Sequence, residues 1–453
     1  MKNVNDHRPF WWLRPEVKFG TEMMEEPAGK PKNVGASEAI SHIRPGDHLV
    51  IGGMAAEPHG LVKEMVEQRA RLDGITIYTS FPISEPLYGT EEAQGSFSIK
   101  TFSVGSLREA IRRKQASYLP CHFSEIASLF SNGTLPLDVA LIQASPPDKD
   151  GHCSFGVSIE YYPEVVAAAP LVIAEINSRM PHTYGDSLIH ESVFNFVVET
   201  ERPLPEYRVS QPGETERTIA EFCAQLIPDG SVLQFGPGKI QSAILAGLLH
   251  KKDLGIHSGL INDPVMELAR KGSLTGETKT INREKIVCTS AIGTQNLYDF
   301  INDNPVVEFY PASYTHNISV LKKLKGFVSL NVALQVDLLG QVNSETVDGS
   351  LVNGIGGMMD FVRGARASED GKVIFCFPST VRDGKVSRIV PSLSPGAPVT
   401  TTRADIDYLV SEFGIAHLSG KTARERAEAI CEIAHPDFRE ELRLSMNESF
   451  QYE

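Results

Sequence analysis

Apolar and polar positions in the first part of the chain follow the spacing of short strands and helices. The pattern predicts a helix at residues 36–43, a strand at 48–52, a helix from Pro58 to about residue 70 and a strand at 73–78. Pro58 at a first helical position and the turn at 44–47 are typical element boundaries. Strands that alternate with helices over these lengths favour mainly parallel sheets covered by helices, an α/β fold.

The same order of elements returns later in the chain. The second series comprises a helix at 215–226, a strand at 231–235, a loop at 236–241, a helix at 242–249 and a strand at 254–258. The turn prolines Pro45 and Pro228, and the similar runs 138–143 and 331–336, are separated by nearly the same number of residues. These two echoes predict a duplicated domain and hence two similar open α/β halves. Chance similarity between strand–helix–strand units is the alternative.

A proline-rich polar sequence at 199–213 predicts the boundary between the halves. We therefore expect an N-terminal arm at 1–35, a first domain at 36–208 and a second domain at 214–453. Ligands of mainly parallel sheets bind beyond the carboxyl ends of the strands. The loops that follow predicted strands are therefore expected near functional surfaces, and they are 53–57, 236–241 and 340–357.

Composition narrows the function classes. The chain has 453 residues, too many for one ordinary core, with 41% hydrophobic and 22% charged residues. Its net charge of −14 argues against nucleic-acid binding, which depends on cationic contacts to phosphate. Six cysteines without paired spacing predict neither a zinc site nor disulfides, and no apolar run suits a membrane span or a signal peptide. We expect a soluble cytoplasmic protein without a metal.

Two neighbouring stretches, 332–345 and 353–365, are the first candidates for chemistry. The first is apolar and ends in Asp-Leu-Leu-Gly, which predicts a buried strand leaving a sheet. In the second, Gly354, Gly356 and Gly357 remove side chains that would keep a ligand from the backbone, and they permit positive φ. Successive amides can then converge on an anion or a developing oxyanion. A turn without a ligand is the alternative, but the density of glycines beside a strand end favours a site.

Two glutamates and one further loop are candidate site residues. Glu57 lies between a predicted strand and a predicted helix, where it is either an active-site acid or a helix-capping acid. Glu345 is a nucleophile, a substrate orienter or a surface acid. The loop 236–239 can hold a phosphate or a pantetheine-like chain, although it matches no nucleotide-binding fingerprint. Adjacent strand residues such as His257 and Ser258 point to opposite faces, which disfavours a serine hydrolase.

Several longer motifs resemble those of one known family. They are residues 145–151, 354–365, 399–403, 412–416 and 434–438. In this order they resemble the acetyl-CoA hydrolase/transferase group of family I CoA-transferases, which includes 4-hydroxybutyrate CoA-transferases. The resemblance covers nearly the whole chain after residue 36. It implies two similar α/β domains, an active site between them and commonly a homodimer, with acyl-CoA and a small carboxylic acid as substrates.

The resemblance also implies a mechanism and a set of site residues. A glutamate attacks the acyl-CoA thioester, and CoA is then carried as a glutamyl-CoA thioester to the acceptor acid. Amides such as those of Gly356 and Gly357 hold the oxyanion. Contacts with CoA are expected from Gln234, Gly236, Gly238, Lys239, Gly354, Gly356, Gly357 and Met358.

One position departs from the family pattern. The family's glutamate lies in a Gly-Ile-His-Thr-Glu-like segment, which corresponds here to 255–259, so that Gly259 takes the place of the nucleophile. Glu57, in the family's Gly-Glu-Pro-type loop, is the expected replacement, and Glu345 is the reserve. The leading hypothesis is a CoA-transferase with acetate, succinate, 4-hydroxybutyrate or itaconate as acceptor. An acyl-CoA hydrolase of the same fold and a CoA-binding protein without turnover are the alternatives.

Overall fold

The structure, a computed structural model, describes residues 30–83 and 85–449. Most of the predicted N-terminal arm, residues 1–29, lies outside the described residues. The strands are β1 (Lys32–Asn33), β2 (His48–Ile51), β3 (Thr76–Thr79), β4 (Ser98–Thr101), β5 (Ala116–Tyr118), β6 (Val139–Ala144), β7 (His152–Ser154), β8 (Leu171–Asn177), β9 (Tyr184–Gly185), β10 (Leu188–His190), β11 (Phe196–Thr200), β12 (Val232–Phe235), β13 (Gly255–His257), β14 (Leu260–Ile261), β15 (Ile286–Cys288), β16 (Ser290–Ala291), β17 (Val307–Phe309), β18 (Phe327–Val332), β19 (Gln335–Asp337), β20 (Val342–Asn343), β21 (Thr346–Val347), β22 (Ser350–Leu351), β23 (Lys372–Cys376), β24 (Thr380–Val381), β25 (Val386–Ser387), β26 (Ile389–Val390), β27 (Tyr408–Ser411) and β28 (Gly414–His417).

Helices alternate with these strands along most of the chain. They are α1 (Ala36–Ser41), α2 (His59–Glu67), α3 (Arg108–Arg112), α4 (Ile126–Ser131), α5 (Tyr162–Ala168), α6 (Glu214–Leu226), α7 (Lys239–Gly247), α8 (Asp263–Arg270), α9 (Gln295–Ile301), α10 (Ala312–Thr315), α11 (Ile318–Leu321), α12 (Met358–Ala367), α13 (Ala423–Glu432) and α14 (Pro436–Ser449). Within the described ranges, no helix combines the length and apolar character that a membrane span requires.

Two large sheets repeat one topology. The first has eight strands in the order β1-β11-β8-β6-β2-β3-β4-β5, and all of its pairs are parallel. The second has nine strands in the order β28-β27-β23-β18-β12-β13-β15-β17-β9, in which only the β27–β28 pair is antiparallel. The run β6-β2-β3-β4-β5 therefore corresponds to the run β18-β12-β13-β15-β17. The predicted α/β fold with two similar, mainly parallel sheets is confirmed.

Most predicted elements of the two series match the observed ones closely. The helix predicted at 242–249 begins earlier, at Lys239, because Gly238 has φ +139 and ends the preceding loop. The apolar run that begins at residue 332 was expected to be a buried strand of the sheet, and this prediction is wrong. The strand β18 already ends at Val332, and residues 335–337 form β19 of a small separate sheet. Hydrophobic side chains of this run pack into a second core with Phe361, which explains their apolar character.

The two halves share structure across the predicted boundary. Strand β9 comes before the linker in sequence, yet it pairs in parallel with β17 at the edge of the second sheet. The amide of Ala291 also donates to the carbonyl of Val157 at 2.8 Å. The largest hydrophobic cluster contains side chains from both sheets, such as Val50 and Leu233. The division at 208 and 214 remains a prediction, and the contacts show that the halves are not independent layers.

Candidate active site

The glycine turn at 354–357 leads directly into α12 and lies against the N-terminal half. Gly356 has φ +55, a conformation that glycine adopts without strain. The described residues offer no acceptor to the amide of Gly356 or of Gly357. Both amides thus stand free at the start of a ten-residue helix, whose dipole favours negative charge at that end. An oxyanion site at Gly356 and Gly357 remains a prediction.

Three contacts from the N-terminal half hold the glycine turn in place. The amide of Phe123 donates to the carbonyl of Gly356 at 3.1 Å. The hydroxyl of Tyr118 accepts from the amide of Ile355 at 2.8 Å. A Cβ on Gly354 would lie 2.8 Å from Cε2 of Tyr118, so that a larger residue would have to displace this ring. The turn is therefore part of the interface between the two halves of the chain.

Glu345 lies beside this turn. Its carbonyl accepts from the amides of Val352 at 2.8 Å and Asn353 at 3.1 Å, which fixes it next to the residues leading into Gly354. Only 6% of its surface is exposed, and Oε1 accepts from the hydroxyl of Thr400 at 2.8 Å. Burial raises the pKa of Glu345, and the Thr400 hydroxyl opposes that rise by stabilising the carboxylate. The structure thus brings an acid to the glycine turn.

Glu57 lies at the carboxyl end of β2, but its carboxylate faces its own half. Its carbonyl accepts from Nε2 of Gln143 at 2.9 Å, and its Oε2 is enclosed without a partner. Burial raises the pKa of Glu57 to about 7, while nearby Arg202 lowers it and Glu175 raises it. These groups, and Tyr88 beside the carboxylate, all belong to the N-terminal half. The side chain makes no capping bond to α2, so the helix-capping interpretation gains no support.

Gly259, at the carboxyl end of β13, packs against His316. A Cβ on Gly259 would lie 3.1 Å from Nε2 of His316 and 3.5 Å from Cε2 of Phe361. Gly259 is not among the glycines with positive φ, so its backbone suits any residue and only its neighbours limit a side chain. A Cβ on Gly357 would overlap the same imidazole. His316 therefore sits where the segment 255–259 meets the glycine turn.

The loop 236–239 lies at the same edge, after β12. Gly238 precedes the first residue of α7, Lys239, whose side chain is exposed. Gln234 was predicted to contact CoA, but it is buried in β12 and its Oε1 accepts from the hydroxyl of Ser329 at 2.8 Å. Gly236, Gly238 and Lys239 thus follow the carboxyl end of β12 and Met358 opens α12, whereas the Gln234 side chain is bonded within the sheet.

Other candidate chemistry finds no support. Nε2 of His257 bonds the carbonyl of Thr315 at 3.1 Å, whereas the hydroxyl of Ser258 donates to the carbonyl of Phe235 at 3.3 Å. These two side chains therefore form no catalytic pair. In the part of the chain that the structure describes, no three His, Cys, Asp or Glu side chains cluster as metal ligands would.

Comparison with known proteins assigns the family. The model of the acetyl-CoA hydrolase/transferase N-terminal domain matches residues 25–205, and that of the C-terminal domain matches residues 293–446. The chain belongs to the acetyl-CoA hydrolase/transferase family. The resemblance stated from the sequence motifs is thereby confirmed.

Several relatives within the family are named as CoA-transferases, and one is named as an acetyl-CoA hydrolase. The 4-hydroxybutyrate coenzyme A transferase of Clostridium kluyveri is 46% identical over 92% of this chain and 97% of its own length. The structure of RipA from Yersinia pestis has a TM-score of 0.87 and 34% identity, and it covers 92% of this chain and 97% of that one. The 4-hydroxybutyrate CoA-transferase of Porphyromonas gingivalis has a TM-score of 0.79 and 38% identity over 92% and 98% of the two chains. The prediction of an enzyme of the CoA-transferase type is confirmed at this level.

Sequence reasoning missed three residues that this family member brings to the turn. Tyr118 and His316 lie in no motif, and their roles depend on contacts between distant parts of the chain. Thr400 lies in the motif 399–403, which indicates the family but not this contact. The run of threonines before Arg403 was the one signal in the sequence that a polar side chain of this motif could bond a buried group.

We expect Glu57→Gln to stabilise the protein above neutral pH. The folded state favours the protonated acid, so the contribution of Glu57 is present below pH 4.5 and is lost as pH rises to about 7. Glutamine stays neutral and avoids this loss. The variant should therefore exceed the wild type by roughly 1–3 kcal/mol at pH 8 and by little at pH 4.5. Denaturant unfolding at both pH values measures this, and an equal or lower stability of the variant at pH 8 would contradict it.

Proposed function

We propose that this chain moves CoA from an acyl-CoA to a small carboxylic acid through a glutamyl-CoA thioester on Glu345. The observation that carries the proposal is that the backbone of this buried acid holds Val352 and Asn353, which lead into the glycine turn, where the amides of Gly356 and Gly357 have no acceptor among the described residues. A carboxylate next to free amide donors at a helix start is suited to attack a carbonyl whose oxygen becomes negative. The family relationship supports the choice of acyl-CoA as that carbonyl compound.

The proposed reaction proceeds through two covalent intermediates. The Glu345 carboxylate attacks the thioester carbon, the C–S bond breaks, and a mixed anhydride and CoA thiolate result. The thiolate then attacks the glutamyl carbonyl, which releases the first carboxylic acid and leaves glutamyl-CoA. An acceptor acid attacks this thioester, and the same steps in reverse order yield the new acyl-CoA. Each tetrahedral intermediate places its oxyanion toward the amides of Gly356 and Gly357.

The sequence predicted Glu57 as the nucleophile, but the contacts in the structure favour Glu345 for this role. Thr400 and the amides of Val352 and Asn353 tie Glu345 to the turn, whereas the groups around the Glu57 carboxylate belong to the N-terminal half. Glu57 remains the second candidate because it lies at the carboxyl edge of the first sheet. Its raised pKa would leave part of its population protonated at neutral pH, and a protonated acid is a poor nucleophile.

The substrates are proposed as a class. Two of the relatives are named as 4-hydroxybutyrate CoA-transferases, and the carboxylate acceptor here is a small acid such as 4-hydroxybutyrate, acetate, succinate or itaconate. For CoA we propose that the exposed Lys239 and the glycine loop 236–238 meet the phosphate and pantetheine parts. Gly354, Gly356, Gly357 and Met358 border the thioester end.

Chemical trapping tests the proposal. The protein is incubated with butyryl-CoA and without an acceptor, treated with borohydride, digested and analysed by mass spectrometry. We expect one reduced glutamate, in the peptide that contains Glu345. A reduced Glu57 instead would transfer the role to that residue. Free thiol without a modified glutamate would indicate a hydrolase, and retained CoA with neither signal would indicate a binding protein; both results contradict transfer through glutamyl-CoA.

We also propose a homodimer in the cytoplasm. The resemblance to the family supports the dimer, and the six cysteines, all free, suit a reducing compartment. Light scattering of the purified protein measures the mass in solution, and a mass near the 49.6 kDa of one chain would contradict the dimer.

A further inference from the structure

Two consecutive residues of the N-terminal half hold the glycine turn on either side of a free amide. The amide of Phe123 donates to the carbonyl of Gly356 at 3.1 Å. The amide of Ser124 donates to Oδ2 of Asp360 at 3.2 Å, and the Ser124 hydroxyl donates to Oδ1 at 2.7 Å. Gly357, whose amide has no acceptor among the described residues, lies between these two points of attachment along the chain.

Both amide donors are available because a helix begins at this place. Residues 123–125 form a helical turn that continues into α4, and the first amides of a helix have no partner within it. Asp360, the third residue of α12, supplies the acceptors for Ser124 from the other half of the chain. The contact therefore joins the first turns of two helices and fixes the start of α12 relative to the start of α4.

The Asp360 carboxylate is committed to this contact. Only 4% of Asp360 is exposed, and each of its two oxygens accepts from Ser124. Burial raises the pKa of Asp360, whereas the two Ser124 donors and nearby His122 lower it by stabilising the charged form. A buried carboxylate without donors would cost free energy, so Ser124 is what allows a charged group at this position.

The glycine turn depends on contacts from outside itself. Gly356 has φ +55, and glycine loses more conformational freedom than other residues do when it is ordered. The backbone bond that closes the turn, from the amide of Met358 to the carbonyl of Ile355, is long at 3.4 Å. Bonds from the N-terminal half therefore decide where the free amides of the turn lie.

We propose that Ser124 and Asp360 are a positioning pair for CoA transfer. By fixing the first turn of α12, they hold the amides of Gly356 and Gly357 where the thioester oxygen becomes negative, and neither side chain needs to touch the substrate. Donors of this kind act on the rate only when their positions are set before the reaction. The inference rests on the proposed function in taking these amides as the oxyanion site.

A contact that only fastens the two halves together is the alternative. Such a contact would raise the stability of the protein and leave the turnover of each folded molecule unchanged. The position of the pair favours the role in turnover, because Asp360 lies in the same helical turn as the free amide of Gly357. The far end of α12 is already bonded to its own half through the ion pair of Arg366 and Asp407.

Steady-state transfer of CoA from butyryl-CoA to labelled acetate tests the inference, with kcat expressed per folded molecule. We expect Ser124→Ala to lower kcat by about 10-fold and to leave the KM for butyryl-CoA within about two-fold, because the turn is displaced while binding elsewhere persists. Ser124→Thr keeps the amide and the hydroxyl and should restore most of kcat. Ser128→Ala removes an exposed hydroxyl from the same helix, α4, and is the matched control that should leave both constants unchanged.

A double-mutant cycle shows whether the two residues act through one contact. Asp360→Ala should lower kcat by about 10-fold or more. The variant that carries both Ser124→Ala and Asp360→Ala should lose no more than Asp360→Ala alone, because the second substitution removes a contact that is already lost. Additive losses would contradict a shared contact.

Hydrogen exchange of the free protein, followed by mass spectrometry, gives a readout that needs no turnover. We expect the amides of residues 355–361 to exchange about 10-fold faster in Ser124→Ala than in the wild type, because the turn opens locally, and those of β18 to be unchanged. Absence of CoA transfer by the wild type would contradict the proposed function. Hydrogen exchange would then decide by itself whether the pair holds the turn.

Three results would overturn the inference. The first is a kcat of Ser124→Ala equal to that of Ser128→Ala, even if the variant is less stable, since this assigns the contact to fastening alone. The second is additivity in the double-mutant cycle. The third is wild-type hydrogen exchange of residues 355–361 in Ser124→Ala. If Asp360→Ala fails to fold, the comparison of the Ser124 variants with Ser128→Ala still decides.

Discussion

Replacing Glu345 with glutamine should reduce CoA exchange by roughly 10³-fold or more, because the amide cannot form the anhydride or carry CoA. The substitution keeps the shape of the side chain and can still accept from Thr400, so folding and CoA binding should persist. Transfer of CoA to labelled acetate, followed by chromatography, measures the exchange. Binding of CoA by calorimetry and the thermal unfolding transition show whether the variant is otherwise intact.

Glu57→Gln is the matched control for this loss. It removes the other candidate carboxylate and leaves the acid beside the glycine turn in place. We expect it to retain exchange within a few-fold of the wild type. If Glu57→Gln instead loses exchange while Glu345→Gln retains it, the nucleophile is Glu57 and the contacts around Glu345 serve only to hold the loop.

Gly357→Ala should lower turnover by about 10²–10³-fold, the usual cost of losing one oxyanion donor. The added Cβ would overlap the His316 imidazole, so either the ring or the turn must move. Movement of the turn displaces the amides of Gly356 and Gly357 from the thioester. The same overlap should cost roughly 1–3 kcal/mol of stability. Steady-state kinetics and denaturant unfolding measure the two effects.

Gly247→Ala provides the comparison for that variant. Gly247 lies in α7 with no atom within 4 Å of an added Cβ, and alanine favours a helix more than glycine does. We expect unchanged turnover and equal or slightly higher stability. Turnover of Gly357→Ala within three-fold of this control would show that the amides of the turn do not hold the oxyanion.

The fold was predictable because its information is local. Segments with the hydrophobic period of a strand alternate with segments that have the period of a helix. The order of these segments and the positions of the turn prolines are the same in both halves, and this order specifies two similar parallel sheets. The wrong prediction of a sheet strand in the apolar run that begins at residue 332 has a physical cause. Apolar side chains such as Val336 and Leu338 are buried in a second core beyond the end of β18, so hydrophobicity continues where the strand stops. Hydrophobicity reports burial and does not by itself report which sheet a residue joins.

The site was predictable only in part, for the same reason. The glycine turn is recognisable from its composition. Its amides without acceptors could also be predicted, because the first amides of a helix have no partner within it and α12 begins at Met358. The residues that contact the turn and Glu345 could not be predicted, because Tyr118 is 237 positions from Ile355 and Thr400 is 55 positions from Glu345. The preference for Glu57 arose from the position of its loop. That position is as expected, but the direction of the side chain depends on neighbours such as Arg202 that no local pattern reveals.

The strand β9 has a consequence for dividing this protein. Severing the backbone in the linker would leave the carboxy-terminal fragment without residues 184–185 and expose the row of amides and carbonyls along β17. Such an unpaired sheet edge can pair with any extended peptide and so promotes association. If the two fragments were produced from separate genes, they would therefore have to be made together. The amino-terminal fragment would then supply β9 to the carboxy-terminal fragment, and the pair could remain soluble.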